Sequence, residues 1–426
     1  MSIICGTDLS EASRAALDVA RALAGQRGDD ELVLVHVVHG AHGKPDGAVD
    51  DAELARRRSV LGKLAASGTG PRVRAELIVG PPDEALVQLA ETHGADLIVV
   101  AAQNDRRGAR LGTTAGNIIT RTHVPVIAVR DPAPWLGFAR GDRPLRILLG
   151  VDDSAPSELG IQWTHALGAR GPIDVVLGAV YYPDEAAAHY GLAARSFVEA
   201  DPDAERLLER DLLRRFAGTP GPVHSVRAVA RRGLGRIGDH IIEVANDERA
   251  DVIVVGTSQK TGLGRLGSVS SVIIDAAPQS VVCVPPHAAV ATQAVPPIER
   301  AVVATDLSQF ANRAVPWAFA LTQAGGEVHL IHVVPENAGA DLDEATLLQR
   351  LIALAPVAAT HKVHAHVVRG DDTATTIAQC AARFGVDVIC IASHGRAGLS
   401  RALVGSVADR LLRLTRLPVL VLRPPS

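Results

Sequence analysis

Aromatic residues and cysteines are scarce in this sequence. Three Trp, three Tyr and six Phe occur among 426 residues, so the hydrophobic cores must consist mainly of Ala, Val, Leu and Ile. Proteins that bind single-stranded nucleic acids stack the bases on aromatic side chains, and the net charge of −4 gives no other reason to expect such a partner. The four cysteines lack CxxC spacing and lie in apolar segments, which is typical of buried free thiols in a reducing cytoplasm.

Long hydrophobic runs are absent as well. No apolar stretch approaches the roughly 18 residues that span a bilayer. The first ten residues, MSIICGTDLS, contain neither the basic segment nor the apolar segment of a secretory signal. We therefore expect a cytoplasmic protein without a membrane partner.

One pattern occurs three times along the chain. Each repeat begins with an apolar run, an aspartate (Asp8, Asp152 or Asp306) and a serine, which precede a helical pattern. These aspartates lie about 150 residues apart, which is the size of a domain rather than of a solenoid unit. Proline-containing segments without periodicity separate the repeats, and we predict domains at residues 1–131, 145–286 and 299–426.

Short apolar runs alternate with helical patterns inside each repeat. Such strands imply a parallel sheet covered on both faces, so we predict an α/β protein of three tandem doubly wound domains, each with a five-stranded, mainly parallel sheet. In the third repeat we expect Ser308 to cap the first helix, Pro316 to kink it and Gly385 to end a later helix. An insertion at 181–218 in the second repeat predicts longer helices over one edge.

Two segments of each repeat reach the carboxyl end of the predicted sheet, where doubly wound folds bind ligands. They are the aspartate after the first strand and the loop after the fourth strand. In the third repeat this loop contains Gly395, Gly398, Gly405 and Ser406, with Arg396 and Arg401 as counter-charges. Glycines allow close approach of a polyphosphate, and a helix N-terminus binds it. A purely structural, glycine-rich loop with an ordinary N-cap explains the same residues. Composition does not distinguish a phosphate-binding loop from such a structural loop.

The order of segments in the third repeat, ATDLS, LIHVV, ASHGRAGLSRALVGSVADRLLR and PVLVL, resembles a universal stress protein domain. The other two repeats resemble it more loosely. Nucleotide-binding members of that family have a G-x2-G-x9-G-[ST] loop, and the matching positions here are Ala392, Gly395, Gly405 and Ser406. Alanine is a mild replacement for the first glycine if its φ is negative.

The resemblance implies the adenine nucleotide alpha hydrolase-like fold and a site for ATP or another adenine nucleotide, with or without Mg²⁺. It places adenine near Ala304 and Val333, with Thr305 beside it and the Asp306 carboxylate near adenine or ribose. The phosphates would contact the loop and the start of the next helix, at Gly395, Arg396, Gly398, Gly405, Ser406 and Val407.

The other two loops depart from the family pattern. The second repeat keeps Asp152, Gly256, Gly267 and Ser268, but its loop is two residues shorter and has Gln259 where the second glycine belongs. The loop of the first repeat begins without glycine and contains Asp105, whose charge opposes a phosphate unless a cation offsets it. The third repeat is therefore the expected nucleotide site.

The resemblance implies a stress-response regulatory protein. A nucleotide-independent, dimerising interaction protein is the alternative, because family members commonly pair through the last strand. Two repeats would then pair within the chain and the third with a second copy. The chain lacks a G-x4-G-K-[ST] loop, a G-x-G-x-x-G motif after each first strand and a G-x-S-x-G elbow. We expect no catalytic residues and at most slow, incidental ATP hydrolysis.

Histidines form the remaining pattern. His364 and His366 of the segment HKVHAH share one face of a predicted strand. No acidic or thiol partner has the spacing to complete a metal site with them, so we expect no metal. His36 and His332, each in an HVV run, are predicted to pack or to form local hydrogen bonds.

Overall fold

The structure is a computed structural model of the chain. It describes residues 2–38, 50–102, 113–192, 199–217, 223–257, 269–286, 297–338, 343–357, 359–392, 406–415 and 417–422. In these ranges no helix has the length and apolarity needed to cross a membrane. The chain divides into two compact units. The first unit contains Met1–Tyr181 and Leu212–Ala294, and the second contains Tyr182–Asp211 and Val295–Ser426.

The first repeat alternates strands and helices as predicted. Its elements are β1 (Ile3–Thr7), α1 (Glu11–Arg27), β2 (Glu31–Val38), α2 (Asp51–Ala66), β3 (Arg72–Val79), α3 (Pro82–Thr92), β4 (Leu97–Ala101), α4 (Thr113–Arg121) and β5 (Val126–Val129). A short helix, α5 (Ala133–Arg140), follows before the second repeat. All five residues of β1 are buried, as expected of a central strand covered by helices on both faces.

The second repeat has the same order with one addition. Its elements are β6 (Leu145–Gly150), α6 (Ala155–Gly168), β7 (Ile173–Tyr181), α7 (Pro183–Tyr190), α8 (Pro202–Ala217), β8 (Ser225–Arg232), α9 (Ile237–Asp247), β9 (Val252–Gly256), α10 (Val269–Ala276) and β10 (Ser280–Val284). The first unit therefore has a ten-stranded sheet of order β3-β2-β1-β4-β5-β10-β9-β6-β7-β8. Neighbouring strands are parallel except β5 and β10, which run antiparallel with Ile127 opposite Val282.

The third repeat forms its own sheet in the second unit. Its elements are β11 (Arg300–Ala304), α11 (Ala314–Leu321), β12 (Glu327–Val334), α12 (Glu344–Ile352), β13 (Lys362–Arg369), α13 (Thr373–Phe384), β14 (Val388–Ala392), α14 (Ser406–Leu414) and β15 (Val419–Leu422). The strands are parallel in the order β13-β12-β11-β14-β15. The predicted fold class is confirmed.

The core of the third repeat lies on both faces of this sheet. Val303, Leu330 and Phe319 pack on one face, and Ile377 and Leu411 belong to the cluster on the other. Burying each such side chain stabilises the fold by roughly 1.5–3 kcal/mol. All four cysteines of the chain are free and buried, as predicted.

Two local predictions for the third repeat have different outcomes. Gly385 ends α13 with φ of 61° and donates its N–H to the Ala381 and Ala382 carbonyls, so the predicted left-handed cap is confirmed. The first helix differs, because a 3-10 turn at Ala311–Arg313 comes before α11. Pro316 thus lies in the first turn of α11, where its missing N–H breaks no helical hydrogen bond, rather than at a kink.

The insertion of the second repeat contains two helices, α7 and α8. Within the second unit, its residues contact α13 of the third repeat. Gln379 Nε2 donates to the Ala188 carbonyl at 3.1 Å, and the Arg210 guanidinium donates to the carbonyls of Ala382 and Arg383 at 2.7 and 2.6 Å. Arg210 of α8 thus adds hydrogen bonds at the end of α13, where the last carbonyls lack helical partners.

Candidate functional site

The turn after β11 is fixed by its own side chains. Thr305 Oγ1 accepts a hydrogen bond from the Leu307 N–H at 2.9 Å, and Asp306 Oδ1 accepts one from the Ser308 N–H at 2.9 Å. Leu307 has a φ of +64°, a left-handed conformation that costs an L-residue with a side chain about 1–2 kcal/mol. Three consecutive residues are therefore held in one arrangement at the carboxyl end of β11.

His332, near the end of β12, holds the same turn from the neighbouring strand. Its Nδ1 lies 2.9 Å from the Thr305 carbonyl oxygen, and because a carbonyl only accepts, Nδ1 carries the proton. Thr305 Oγ1 also donates to Asn312 Oδ1 at 2.7 Å. The prediction of a local hydrogen-bonding role for His332 is confirmed.

The Asp306 carboxylate is exposed at this edge of the sheet. Hydrogen bonds from the Ser308 hydroxyl and N–H lower the pKa of Asp306 below its usual range, and burial opposes them only partly. The group is therefore ionised near neutral pH. It offers a fixed negative charge that can accept hydrogen bonds from amino or hydroxyl groups of a ligand.

Other predicted residues of the third repeat lie at the same edge. Ala304 ends β11, and Val333 is half-buried near the end of β12, the strand paired with β11. Ser406 and Val407 begin α14, which follows β14, the other neighbour of β11. The remaining predicted phosphate contacts lie outside the described residues: Gly395, Arg396, Gly398 and Gly405.

The first position of the G-x2-G-x9-G-[ST] pattern packs differently in the second and third repeats. Ala392 ends β14 in a strand conformation, so its methyl group causes no backbone strain. In the second repeat Gly256 occupies this position, and a Cβ there would lie 2.3 Å from the Pro156 carbonyl oxygen. Close approach of α6 therefore requires this glycine, whether or not a phosphate binds.

The first repeat reproduces the turn. Thr7 Oγ1 accepts from the Leu9 N–H at 3.0 Å, Asp8 Oδ1 accepts from the Ser10 N–H at 2.9 Å, and His36 Nδ1 lies 2.8 Å from the Thr7 carbonyl oxygen. Leu9 has a φ of +67°. The prediction for His36 is confirmed, while the loop that contains Asp105 lies outside the described residues.

The second repeat has a different turn. Val151 and Ala179 occupy the positions of the threonine and the histidine. Asp152 Oδ1 accepts hydrogen bonds from the Ser154 N–H at 3.0 Å and from the Ser157 hydroxyl at 2.7 Å. Burial favours the protonated form of Asp152, but these hydrogen bonds outweigh it and lower the pKa. Its predicted partners Gly267 and Ser268 lie outside the described residues.

Sequence reasoning missed the threonine–histidine pair as part of the site. The signal was present, because the first and third repeats share T-D-L-S after the first strand and H-V-V in the second strand, and the second repeat lacks both. Parallel pairing of the first two strands brings these segments together, as in the register Thr7 with His36.

Comparison with known proteins gives a consistent result. The sequence model of the universal stress protein family matches residues 1–130, 145–285 and 297–423. A universal stress protein from Mycolicibacterium smegmatis is 24% identical over 292 residues, which are 65% of this chain and 97% of that protein. A solved universal stress protein from Archaeoglobus fulgidus is 19% identical with a TM-score of 0.46, and the match covers 66% of this chain and 95% of that one.

A second solved structure is of a universal stress protein in complex with cAMP. It is 24% identical with a TM-score of 0.25, and the match covers 30% of this chain and 97% of that chain. The three family matches together span most of the sequence. The chain therefore belongs to the universal stress protein family, with three tandem copies of its domain.

Proposed function

We propose that the third repeat binds ATP or another adenine nucleotide at the carboxyl edge of its sheet, and that the protein is a cytoplasmic regulator in a stress response. The observation that carries this proposal is the fixed turn at Thr305–Ser308 with its exposed, ionised Asp306. The adenine amino group and the ribose hydroxyls are donors that suit such a carboxylate.

The groups around Asp306 suit the rest of a nucleotide. Ala304 and Val333 supply apolar contacts for a purine ring, and Ser406 begins α14. The unpaired N–H groups of a helix start bind phosphate. We propose that Gly395, Gly398 and Gly405 bring the backbone close to the phosphates and that Arg396 neutralises part of their charge.

The third repeat is a better nucleotide site than the second. Both aspartates accept hydrogen bonds from the serine two residues further on, but Asp152 Oδ1 also accepts one from the Ser157 hydroxyl, and Arg215 Nη1 donates to the Asp152 carbonyl at 2.8 Å. A ligand would have to compete with these hydrogen bonds. We propose one nucleotide per chain, with Asp152, Gly256, Gly267 and Ser268 forming a second, weaker site at most.

Titration of the purified full-length chain with ATP tests the proposal. Asp306→Asn keeps an oxygen for the Ser308 N–H but removes the charge, and we expect a 10- to 100-fold weaker Kd, since a hydrogen bond to a charged group is worth about 1.5–3 kcal/mol. Asp8→Asn is the matched control and should leave the Kd unchanged. Gly405→Asp should abolish binding, and unaltered ATP binding by Asp306→Asn would contradict the proposed site.

A nucleotide-independent interaction protein is the second function to consider. The antiparallel pairing of β5 with β10 supports it, because the last strands of two repeats meet there. We propose that domains 1–131 and 145–286 pair in this way, and that domain 299–426 pairs with a second copy through β15. Among the described residues β15 has a strand neighbour on one side only. A strict monomer at micromolar concentration would contradict the second pairing, and a chain that binds no ATP would leave interaction as the function.

A further inference from the structure

A histidine cluster lies at the end of the third sheet opposite the proposed nucleotide site. Glu327 begins β12 and Lys362 begins β13, and the two strands pair in parallel with His329 opposite His364. Side chains two residues apart point to the same face of a strand. Glu327, His329, His364 and His366 therefore share one face, at the amino ends of both strands.

The cluster has the geometry of a metal-binding group. One possible ligand atom from each of Glu327, His329 and His364 lies within 4.8 Å of the others. Zinc–ligand bonds of about 2.0–2.2 Å separate neighbouring ligand atoms by about 3.3 Å. The outermost pair must approach by at most about 1.5 Å, and rotation of the exposed His364 side chain can supply this movement.

His329 supplies the independent indication of a ligand. Its side chain is buried, with 7% of the residue exposed, yet its Nε2 has no hydrogen-bond partner among the described residues. A buried polar atom without a partner is rare and destabilising. This Nε2 lies 3.9 Å from Glu327 Oε2, which also forms an ion pair with Arg300 Nε at 3.3 Å. A cation bound by the carboxylate beside the ring would give His329 Nε2 the partner it lacks.

Neighbouring groups fix the ring of His329 in this orientation. Its Nδ1 lies 3.1 Å from His366 Nε2, and it stacks with Phe384 at a ring separation of 4.7 Å and an interplanar angle of 9°. When Nδ1–H donates to His366, the lone pair on His329 Nε2 faces Glu327. Histidine ligands in metal sites commonly donate their second ring N–H to a carboxylate, a backbone carbonyl or water, and His366 Nε2 takes the place of that acceptor here.

The protonation states suit a divalent cation. Burial and the neighbouring His364 and His366 lower the pKa of His329 to about 4, so its ring is neutral at pH 7. Burial of Glu327 favours its protonated form, but Arg300 and Lys362 outweigh burial and lower the pKa of this carboxyl. A carboxylate and the neutral His329 imidazole therefore lie side by side, in the protonation states in which these groups bind a metal.

We propose that Glu327, His329 and His364 bind a zinc ion, with His366 as a positioning residue and water in the fourth position. A carboxylate with two imidazoles is a set of ligands that zinc accepts in tetrahedral geometry. Two side chains compete with the ion for the carboxylate: Arg300 Nε lies 3.3 Å from Glu327 Oε2, and Lys362 Nζ lies 3.5 Å from Glu327 Oε1. The Lys362 side chain is 69% exposed, so it can move into solvent when the ion binds.

Zinc titration of the full-length, chelator-treated chain against a chromophoric competitor tests this site without nucleotide. We expect one Zn²⁺ per chain with a Kd of 10 μM or tighter. His364→Gln and Glu327→Gln should each weaken binding at least tenfold, and His366→Ala should weaken it 10- to 100-fold. His224→Gln is the control, because it removes an exposed histidine beside Asp174 in the second repeat, and it should leave the Kd unchanged.

Two further measurements separate a specific site from loss of folding and from weak surface binding. Lys362→Met removes the competing ammonium and should tighten zinc binding, which a misfolded chain cannot do. Cobalt added in place of zinc should give the visible absorption of a tetrahedral site in the wild type and not in His364→Gln. No zinc binding at 1 mM, or equal affinity in the wild type and both ligand variants, would overturn the proposal. Because ATP is absent throughout, failure here leaves the nucleotide proposal intact.

Discussion

His332 Nδ1 donates a hydrogen bond to the backbone carbonyl oxygen of Thr305, 2.9 Å away. This bond ties the end of β12 to the residue immediately before Asp306, so the neighbouring strands β11 and β12 position the carboxylate together. His36 and Thr7 form the same bond in the first repeat. The histidine–threonine hydrogen bond is therefore a feature that this turn has in both repeats.

Replacing His332 with alanine removes this link. We expect His332→Ala to lower the free energy of unfolding of the third repeat by about 1 kcal/mol, the typical value of one hydrogen bond, and to weaken ATP binding about fivefold. Calorimetric titration and urea unfolding measure the two effects. His36→Ala removes the equivalent bond in the first repeat and should leave ATP affinity unchanged. Equal losses of ATP affinity in both variants would contradict the assignment of the site.

The contrast between Gly256 and Ala392 gives a second prediction. A methyl group on Gly256 would lie 2.3 Å from the Pro156 carbonyl oxygen, so Gly256→Ala forces α6 and β9 apart. We expect a loss of about 1–3 kcal/mol, as for other overpacked interiors, measured by urea unfolding. The reverse change, Ala392→Gly, should cost less than about 1 kcal/mol, because it removes one methyl group and loosens only one residue. A Gly256→Ala chain as stable as the wild type would show that close packing does not require this glycine.

The architecture could be predicted because its signals are local. Strands buried on both faces read as continuous apolar runs, and VICIA of β14 has four buried residues of five. Contacts between strands were harder to predict. Glu327 and His364 lie on different strands, and their proximity depends on the β12–β13 register. The spacing of residues within HKVHAH does not determine that register. The antiparallel meeting of β5 with β10 likewise depends on long-range packing.

The pH dependence of stability should reveal the hydrogen bonds of Asp152. Its pKa is lowered in the folded chain, whereas an aspartate in an unfolded chain has a pKa of about 3.9. Between its pKa in the folded chain and its pKa in the unfolded chain, Asp152 binds fewer protons in the folded state. The free energy of unfolding therefore decreases as the pH falls through this range. We expect Asp152→Asn to be less stable than the wild type at pH 7, with a difference that shrinks below about pH 4.

Urea unfolding at pH 7, 5 and 3.5 measures this difference. Ser157→Ala is a useful companion, because it removes one hydroxyl donor to the carboxylate and should lose part of the same pH dependence. A stability difference between Asp152→Asn and the wild type that stays constant from pH 7 to 3.5 would rule out a stabilising role of the ionised carboxylate.

The ends of three equivalent helices give the last prediction. Gly94 after α3 and Gly385 after α13 have φ values of 57° and 61°, and Arg249 holds the corresponding position after α9 with φ of 50°. The backbone hydrogen bonds at Arg249 match those at Gly385, because in both helices the N–H of this residue and that of the next one donate to carbonyls of the last helical turn. The arginine thus adopts a left-handed conformation that favours glycine.

Arg249→Gly should stabilise the first unit by about 0.5–1 kcal/mol, because relief of strain exceeds the added flexibility of the unfolded chain. The matched change Gly94→Ala introduces the strain instead and should destabilise by about 1 kcal/mol. No atom lies within 4 Å of a Cβ built at Gly94, so a clash would not contribute to that loss. Thermal and urea unfolding measure both variants. A decrease in stability for Arg249→Gly would mean that contacts of the arginine side chain outweigh the backbone strain.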